Sequence, residues 1–164
     1  MKRTLTTTSI LLLLFAVATG AGKFDLRGLD GQWEGTGSIA IAASPVSMDL
    51  DGTATFKWDS ACGCLRTALS AEKFMLKYSD TGRMYHNSKT DRVSWDVWDN
   101  YGNHRRYMGK VDGDSLSGRA RILSGMYDVT VRASHRDTLD IDFYYTDPDS
   151  VKQKTGYFKL WRKE

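Results

Sequence analysis

Chemically reactive residues are scarce in this 164-residue sequence, which contains two cysteines and three histidines. Zinc usually takes four protein ligands, so the thiols of Cys62 and Cys64 alone form an incomplete metal site. His86, His104 and His135 lie in or beside predicted turns without a carboxylate cluster to orient them, and we interpret them as surface residues. No Ser-His-Asp arrangement, phosphate-binding loop or carboxylate pair is evident from the spacing. We therefore predict no catalytic residue and no metal, and an enzyme is the least favoured class.

A concentration of charge of one sign is also missing. The chain has 23 Lys and Arg against 20 Asp and Glu, a net charge of +3. The basic residues are scattered and interleaved with Asp, so we expect no nucleic-acid partner. Beyond the N-terminal segment there is no long apolar run, so we expect no integral membrane segment in the mature chain.

The N-terminal segment has the layout of a secretory signal peptide. Lys2 and Arg3 precede an apolar run from Ile10 to Val17, and small residues follow up to Ala21. The run is shorter than the about 20 residues that a membrane span needs, although a retained anchor helix is the alternative. We predict a signal peptide over residues 1–21, cleaved after Ala18 or Ala21, and a secreted or periplasmic domain over residues 22–164.

Turn-forming residues recur along this domain, from Gly82 onward at intervals of about 8–12 residues, which is typical of an antiparallel meander. The predicted turns are Asp51-Gly52, Asp80–Gly82, Lys89–Asp91, Asn100–Asn103, Asp112–Asp114, Ser124-Gly125, His135–Asp137 and Asp147–Asp149.

Between these turns, apolar and polar residues alternate with period two, which indicates half-buried strands. The apolar faces include Phe74, Leu76 and Tyr78; Val93, Trp95 and Val97; Tyr107 and Val111; Tyr127, Val129 and Val131; Leu139, Ile141, Phe143 and Tyr145; and Phe158 and Leu160. We predict an all-β fold in which an up-and-down meander closes into a barrel of about 8–11 strands, because closure removes exposed sheet edges. A barrel of that size encloses more volume than its own side chains fill.

Two short motifs resemble the lipocalin and calycin barrels. They are Gly31-Gln-Trp33 near the start and Arg162 near the end. The resemblance implies that Trp33 packs against Arg162 in a cation–π contact that closes one end of the barrel. More narrowly, the chain resembles an uncharacterised family of small bacterial calycin-like domains, through Val93–Gly102, Asp112–Leu116 and Tyr157–Arg162. The function of that family is not established.

A neighbouring calycin group binds haem through a histidine near its C-terminus. This chain has no histidine after His135. We therefore predict no cofactor, with haem as the less favoured alternative.

The most unusual local feature is Cys62-Gly63-Cys64. Thiols tend to oxidise in the secretory compartment, so Cys62 and Cys64 are candidates for a disulfide, with two ordinary cysteines as the alternative. On an extended strand their Cα atoms would be about 6.5–7 Å apart, at the limit for a disulfide, and a bulge at Gly63 would bring them closer. Such a bridge is either redox-active or an inert structural link.

The aromatic residues suggest a binding pocket. Apolar pockets with a few polar groups are the default ligand site. We hypothesise that a small apolar or amphipathic molecule binds inside the barrel, against Trp58, Tyr78, Trp95, Tyr107, Phe143 and Tyr145. The alternatives are a cell-envelope interaction module with a filled barrel, or an enzyme with Asp96, Arg106, Asp128 and Arg132 clustered inside. The oligomeric state stays open.

Overall fold

A computed structural model describes residues 24–40, 47–73, 75–122, 125–135 and 137–164. The predicted signal peptide, residues 1–21, lies outside these ranges, as does Phe74. No helix among the described residues has the length and apolar character needed to cross a membrane.

The described chain forms one short 3₁₀ helix and ten β-strands. The helix spans Leu26–Leu29, and the strands are β1 Gly31–Ala40, β2 Ser47–Asp59, β3 Cys64–Lys73, β4 Leu76–Asn87, β5 Arg92–Asp99, β6 His104–Asp112, β7 Ser115–Ile122, β8 Gly125–His135, β9 Thr138–Thr146 and β10 Lys152–Arg162. Each strand pairs with its sequence neighbours and β1 pairs with β10, so the sheet is a closed barrel. Every pairing is antiparallel. The predicted all-β barrel is therefore confirmed.

The seam between β1 and β10 explains much of the glycine-rich start of the domain. The register runs from Trp33 opposite Arg162 to Ile39 opposite Gly156. A Cβ atom on Gly35 would lie 2.0 Å from the carbonyl oxygen of Lys159, a distance that no side chain tolerates. Gly35 is therefore required for the close approach of the two strands at the seam.

Two of the predicted turns are wrong. Asp51-Gly52 lies inside β2, and Asp80–Gly82 lies inside β4. A Cβ on Gly52 would be 2.8 Å from the Phe158 ring, and one on Gly82 would be 2.7 Å from the indole nitrogen of Trp95. These glycines make room for inward aromatic rings. The same Asp-Gly and Asp-Thr-Gly motifs are also typical of turns, so the two cases look alike in the sequence.

Other turns follow the prediction. Turns connect β4 to β5 at Lys89–Asp91, β5 to β6 at Asn100–Asn103, β6 to β7 after Asp112, and β9 to β10 at Asp147–Asp149. Ser124 and residue 136 lie outside the described residues.

One end of the barrel, which we call the base, is closed by the 3₁₀ helix. Asp25 caps the helix by accepting a hydrogen bond from the backbone N–H of Arg27 at 3.0 Å. Leu26 and Leu29 are buried, together with Phe24 just before the helix. The backbone N–H of Phe24 donates to the carbonyl of Gly113 at 2.7 Å, which ties this segment to the β6–β7 turn.

Trp33 and Arg162 fasten the seam to this helix. The Trp33 indole is almost completely buried, and its Nε1 donates to the carbonyl of Leu29 at 2.9 Å. The Arg162 guanidinium carbon lies 4.3 Å from the centre of the Trp33 ring. Its nitrogens donate to the carbonyls of Asp30 and Gly28, the latter at 2.6 Å. A cation–π contact and two charged hydrogen bonds thus join the two ends of the domain.

We predict that Arg162→Ala lowers the free energy of unfolding by about 2–3 kcal/mol, because it removes the cation–π contact and leaves two carbonyls without their donor. Arg162→Lys should give an intermediate loss, since an ammonium lacks the planar fork. Urea denaturation measures both. Arg121→Ala, an exposed arginine of β7, is the control and should stay within 0.5 kcal/mol, roughly, of the wild type. Equal stability of Arg162→Ala and this control would contradict the prediction.

Candidate ligand site

The barrel encloses a cavity of about 950 Å³. Its floor is formed by Phe24 and Leu29 of the base. The wall is mostly apolar, and its apolar residues include Leu50, Phe56, Leu69, Ala71, Met84, Trp95, Val97, Leu116, Val129, Val131, Ile141, Phe143, Phe158 and Leu160. Because side chains of a strand alternate, the inward residues of each strand are two positions apart, and many of them contribute to this wall. The interior holds an unfilled apolar space of the size that ligand pockets have.

Five of the six residues that the sequence indicated as the pocket line this cavity. They are Tyr78, Trp95, Tyr107, Phe143 and Tyr145. Their contact with a ligand stays a prediction.

Trp58 was predicted wrongly as a pocket residue. It has the inward parity of β2, yet it lies near the end of the strand and is not among the residues that line the cavity. Its ring lies under the Arg27 guanidinium, 4.7 Å from the ring centre, and its backbone N–H donates to Asp30 at 2.9 Å. Trp58 therefore belongs to the packing of the base.

Aromatic pairs stiffen the wall. The Trp95 and Tyr107 ring centres are 5.6 Å apart, and those of Tyr127 and Tyr145 are 4.9 Å apart. The indole nitrogen of Trp95 donates to the Thr67 hydroxyl at 3.1 Å, so the buried N–H is satisfied. Rings held by such contacts present a largely preformed surface.

A polar cluster interrupts the apolar wall at the end opposite the base, which we call the upper end. It consists of Tyr78, Asp80, Asp99 and Arg105. The Arg105 guanidinium donates to Asp99 at 2.6 Å and to the Tyr78 hydroxyl at 3.2 Å. The Tyr78 hydroxyl in turn donates to Oδ2 of Asp80 at 3.1 Å. Tyr78, Asp80 and Arg105 line the cavity.

The two carboxylates of the cluster have opposite environments. Burial raises the pKa of Asp99, but hydrogen bonds from Asn103, Tyr101 and Arg105 outweigh that effect and hold it below the ordinary value. Burial raises the pKa of Asp80 to about 6. The hydrogen bond from Tyr78 and the charge of Arg105 lower this pKa, but they offset the effect of burial only in part. Oδ1 of Asp80 is buried and has no hydrogen-bond partner among the described residues.

The sequence missed Asp80 because Asp80-Thr-Gly82 resembles a turn. One signal was available: the alternation through Tyr78 and Met84 also puts residue 80 on the inward face.

The four charged residues of the enzyme alternative do not cluster inside the barrel. Asp96 accepts hydrogen bonds from Arg106 at 2.7 and 3.0 Å and from His104 at 3.0 Å. Asp96, His104 and Arg106 lie on the faces of β5 and β6 that point away from the cavity. The bonds to Arg106 lower the pKa of Asp96.

Asp128 and Arg132 likewise lie on the outer face of β8. Asp128 accepts hydrogen bonds from Arg119, one of them 3.1 Å long, and lies 3.2 Å from the Lys152 ammonium. Hydrogen bonding to Arg119 lowers the pKa of Asp128. Arg132 is exposed. The interior polar site that an enzyme would have needed from these residues is therefore excluded.

Cys62 and Cys64 are joined by a disulfide, with their Cα atoms 5.3 Å apart. The motif was expected on a strand with a bulge, but Cys62 and Gly63 belong to the loop between β2 and β3. Gly63 has a φ of 60°, which lets the chain turn so that the sulfurs meet. Cys62 is exposed and Cys64 is buried. Within the described ranges, no three His, Cys, Asp or Glu side chains are grouped to hold a metal.

Comparison with solved structures shows that this barrel is shared. The chain is similar to Rv2717c from Mycobacterium tuberculosis, with 16% identity, a TM-score of 0.66, and coverage of 85% of this chain and 95% of that one. It is similar to a protein of unknown function from the DUF3598 family of Nostoc punctiforme, with 10% identity, a TM-score of 0.62 and coverage of 86% of this chain. The match spans 50% of that longer chain.

A third similar structure is the S-type phycobiliprotein lyase CPES from Guillardia theta, with 8% identity, a TM-score of 0.63, and coverage of 85% of this chain and 90% of that one. At these identities the likeness is one of fold, and the predicted lipocalin-like barrel is confirmed at that level. No protein-family model and no curated protein matches the sequence.

We predict that Asp80→Asn stabilises the protein above pH 6. Between the ordinary pKa of 3.8 and the raised value of about 6, the native state binds more protons at Asp80 than the unfolded chain. Stability from this group is therefore complete below pH 4, roughly, and lost as the pH rises through about 6. The difference between variant and wild type should grow from near zero at pH 4 to at most about 3 kcal/mol at pH 7.5.

Denaturant unfolding at several pH values measures this difference. Asp51→Asn, the same change at an exposed position of β2, is the matched control and should show no such trend. A constant difference between Asp80→Asn and wild type across this pH range would contradict the raised pKa.

Proposed function

We propose that the protein binds one small apolar or amphipathic molecule inside its barrel and acts outside the cytoplasm as a ligand-binding protein. The observation that carries the proposal is the cavity of about 950 Å³ with its apolar wall. Burying an apolar chain there releases about 25 cal/mol for each Å² removed from water. The wall is held by strand pairing on both sides, so little ordering is needed on binding.

The same cavity argues against the filled-barrel alternative. A structural module gains stability from a packed interior, because each unfilled volume the size of a methyl group costs on the order of 1 kcal/mol. Small inward residues such as Gly52 and Ala71 keep the space free. A ligand-binding role gives these residues a reason that a purely structural role does not.

The similar structures support a binding role only in general terms. One of them is named as a phycobiliprotein lyase, and two have no function in their names. Barrels of this shape therefore serve at least one activity, and the identity of the ligand of this chain must come from its own wall.

Export of the protein is part of the proposal. The basic and apolar pattern of residues 1–21 motivates it. The Cys62–Cys64 disulfide supports it, since such bonds persist in oxidising compartments and are rare in reducing ones.

We predict that Ala71→Trp abolishes binding in the cavity, because Ala71 is an inward residue of β3 and an indole there occupies the ligand's space. The measurement is the fluorescence of the neutral probe N-phenyl-1-naphthylamine, titrated with protein and then displaced with decanol. The affinity should fall at least about tenfold, which corresponds to 1.4 kcal/mol, roughly.

Ala68→Trp is the matched control, since Ala68 is exposed on the same strand. Circular dichroism verifies that both variants are folded. Equal binding by the two variants would place the probe outside the barrel. If the wild type binds neither probe nor decanol, the proposed function is wrong. Native mass spectrometry of freshly purified protein then distinguishes a bound molecule from a bare chain.

We predict that the full chain, expressed in a Gram-negative host, is recovered from the periplasm with a new N-terminus after Ala18 or Ala21. N-terminal sequencing and intact mass measure the cleavage. Leu12→Arg interrupts the apolar run and should leave the precursor uncleaved. An uncleaved wild-type chain in the cytoplasm would overturn the export proposal.

A further inference from the structure

In the cavity wall, the carboxyl group of Asp80 has no directly bonded cation and few hydrogen-bond donors. Asp80 lies among apolar side chains, with Leu69 as its cross-strand partner on β3 and Met84 further along β4. Its one hydrogen bond among the described residues comes from the Tyr78 hydroxyl at 3.1 Å, and Oδ1 has none. A buried carboxylate ordinarily requires a cation or several hydrogen-bond donors.

The nearest cation is already engaged. Arg105 donates a hydrogen bond to Asp99 at 2.6 Å. It makes no direct hydrogen bond to Asp80 and is linked to it only through the Tyr78 hydroxyl. Asp99 is the direct cross-strand neighbour of Asp80 and is itself satisfied by Asn103, the backbone of Tyr101, and Arg105. When both carboxylates are ionised, the cluster holds two negative charges against one positive charge.

We propose that the ligand of this cavity carries a cationic nitrogen, such as a protonated amine, at one end of an apolar body, and that this nitrogen binds the Asp80 carboxylate. The inference rests on the proposed function, because it names the chemical class of the molecule that the barrel holds. A protonated amine supplies the charge that balances the cluster, and a small rotation of the Asp80 side chain would let the amine donate to Oδ1, which has no partner among the described residues.

The geometry disfavours the opposite ligand class. A carboxylate head group near Arg105 would have to compete with Asp99 for a guanidinium that is already bonded, and would lie beside Asp80. Like charges held close together in a poorly hydrated site repel strongly. A fatty acid is therefore expected to bind more weakly than an alcohol of the same chain length.

The inference predicts a dependence on pH. The titratable or charged groups of this cluster and its surroundings include Tyr78 on β4, Asp99 on β5, Tyr101 in the β5–β6 turn, and Arg105 and Tyr107 on β6. Burial raises the pKa of Tyr78 and Tyr107, so these two stay neutral. Asp99 and Arg105 keep their charges over this range. Asp80, whose pKa is about 6, is the group of this cluster that changes between pH 5 and 7.5. An alkylamine stays protonated throughout.

The test compares three ligands with one chain length: decylamine, decanol and decanoate. Each displaces N-phenyl-1-naphthylamine from the full-length mature protein at pH 7.5 and at pH 5. At pH 7.5 decylamine should bind about tenfold more tightly than decanol, and decanoate should bind more weakly than both. At pH 5 the advantage of decylamine over decanol should disappear, because Asp80 becomes protonated.

The Asp80→Asn variant distinguishes the contribution of the ligand's head group from that of its alkyl chain. In this variant decylamine should lose its roughly tenfold advantage over decanol at pH 7.5, and with it the dependence of that advantage on pH. Asp51→Asn on the outer face should behave as the wild type.

Equal affinity of the wild type for decylamine and decanol at pH 7.5, or a preference for decanoate, would overturn this inference and leave the proposed function intact. An unchanged decylamine preference in Asp80→Asn would also overturn it. Failure of all three ligands to displace the probe, or of the probe to bind, would overturn the proposed function and this inference with it.

Discussion

The closure of β1 onto β10 is the constraint on which the rest of the structure depends. Strands from opposite ends of the domain must meet in one register, and Trp33 opposite Arg162 marks that register at the base. The arginine contacts the indole and also the carbonyls of the 3₁₀ helix, so it links the seam and the plug in one step. Without closure the sheet would have two free edges and no enclosed space. The enclosed cavity thus depends on the pairing of β1 with β10. Arg162 also holds the 3₁₀ helix, whose segment forms the cavity floor.

Side-chain alternation converts closure into an interior. Once ten strands are paired in register, every second residue must point inward, and the size of those residues decides whether the barrel is solid or hollow. Glycine at positions 52 and 82 admits the rings of Phe158 and Trp95 into the wall. The aromatic rings then contact one another along the wall and do not fill the centre. The hollow interior therefore arises from where small residues lie, as well as from the number of strands.

The fold and much of the wall could be predicted from the sequence, because alternation is a local signal. Tyr78, Trp95, Tyr107, Phe143 and Tyr145 follow directly from it. The position of a residue along the barrel axis could not be predicted, since no local sequence pattern shows where the cavity floor lies. Trp58 has the inward parity, yet it contacts Arg27 and Asp30 at the base and does not line the cavity. Asp80 was missed because an aspartate beside a glycine favours a turn locally, while strand pairing on both sides overrides that preference.

The polar cluster at the upper end is the part of the wall that stability alone does not explain. On the outer face, Asp96 and Asp128 each have guanidinium partners that lower their pKa, so their charges cost little. Inside the barrel, Asp99 has the same kind of partner and Asp80 does not. An apolar residue at position 80 would continue the wall and remove the cost of burial. Strained or poorly satisfied groups that persist in a well-packed structure tend to lie at functional sites. Asp96, Asp99 and Asp128 each have a cationic partner within the protein. The position of Asp80 beside an apolar cavity is best accounted for by a partner that enters with its own positive charge.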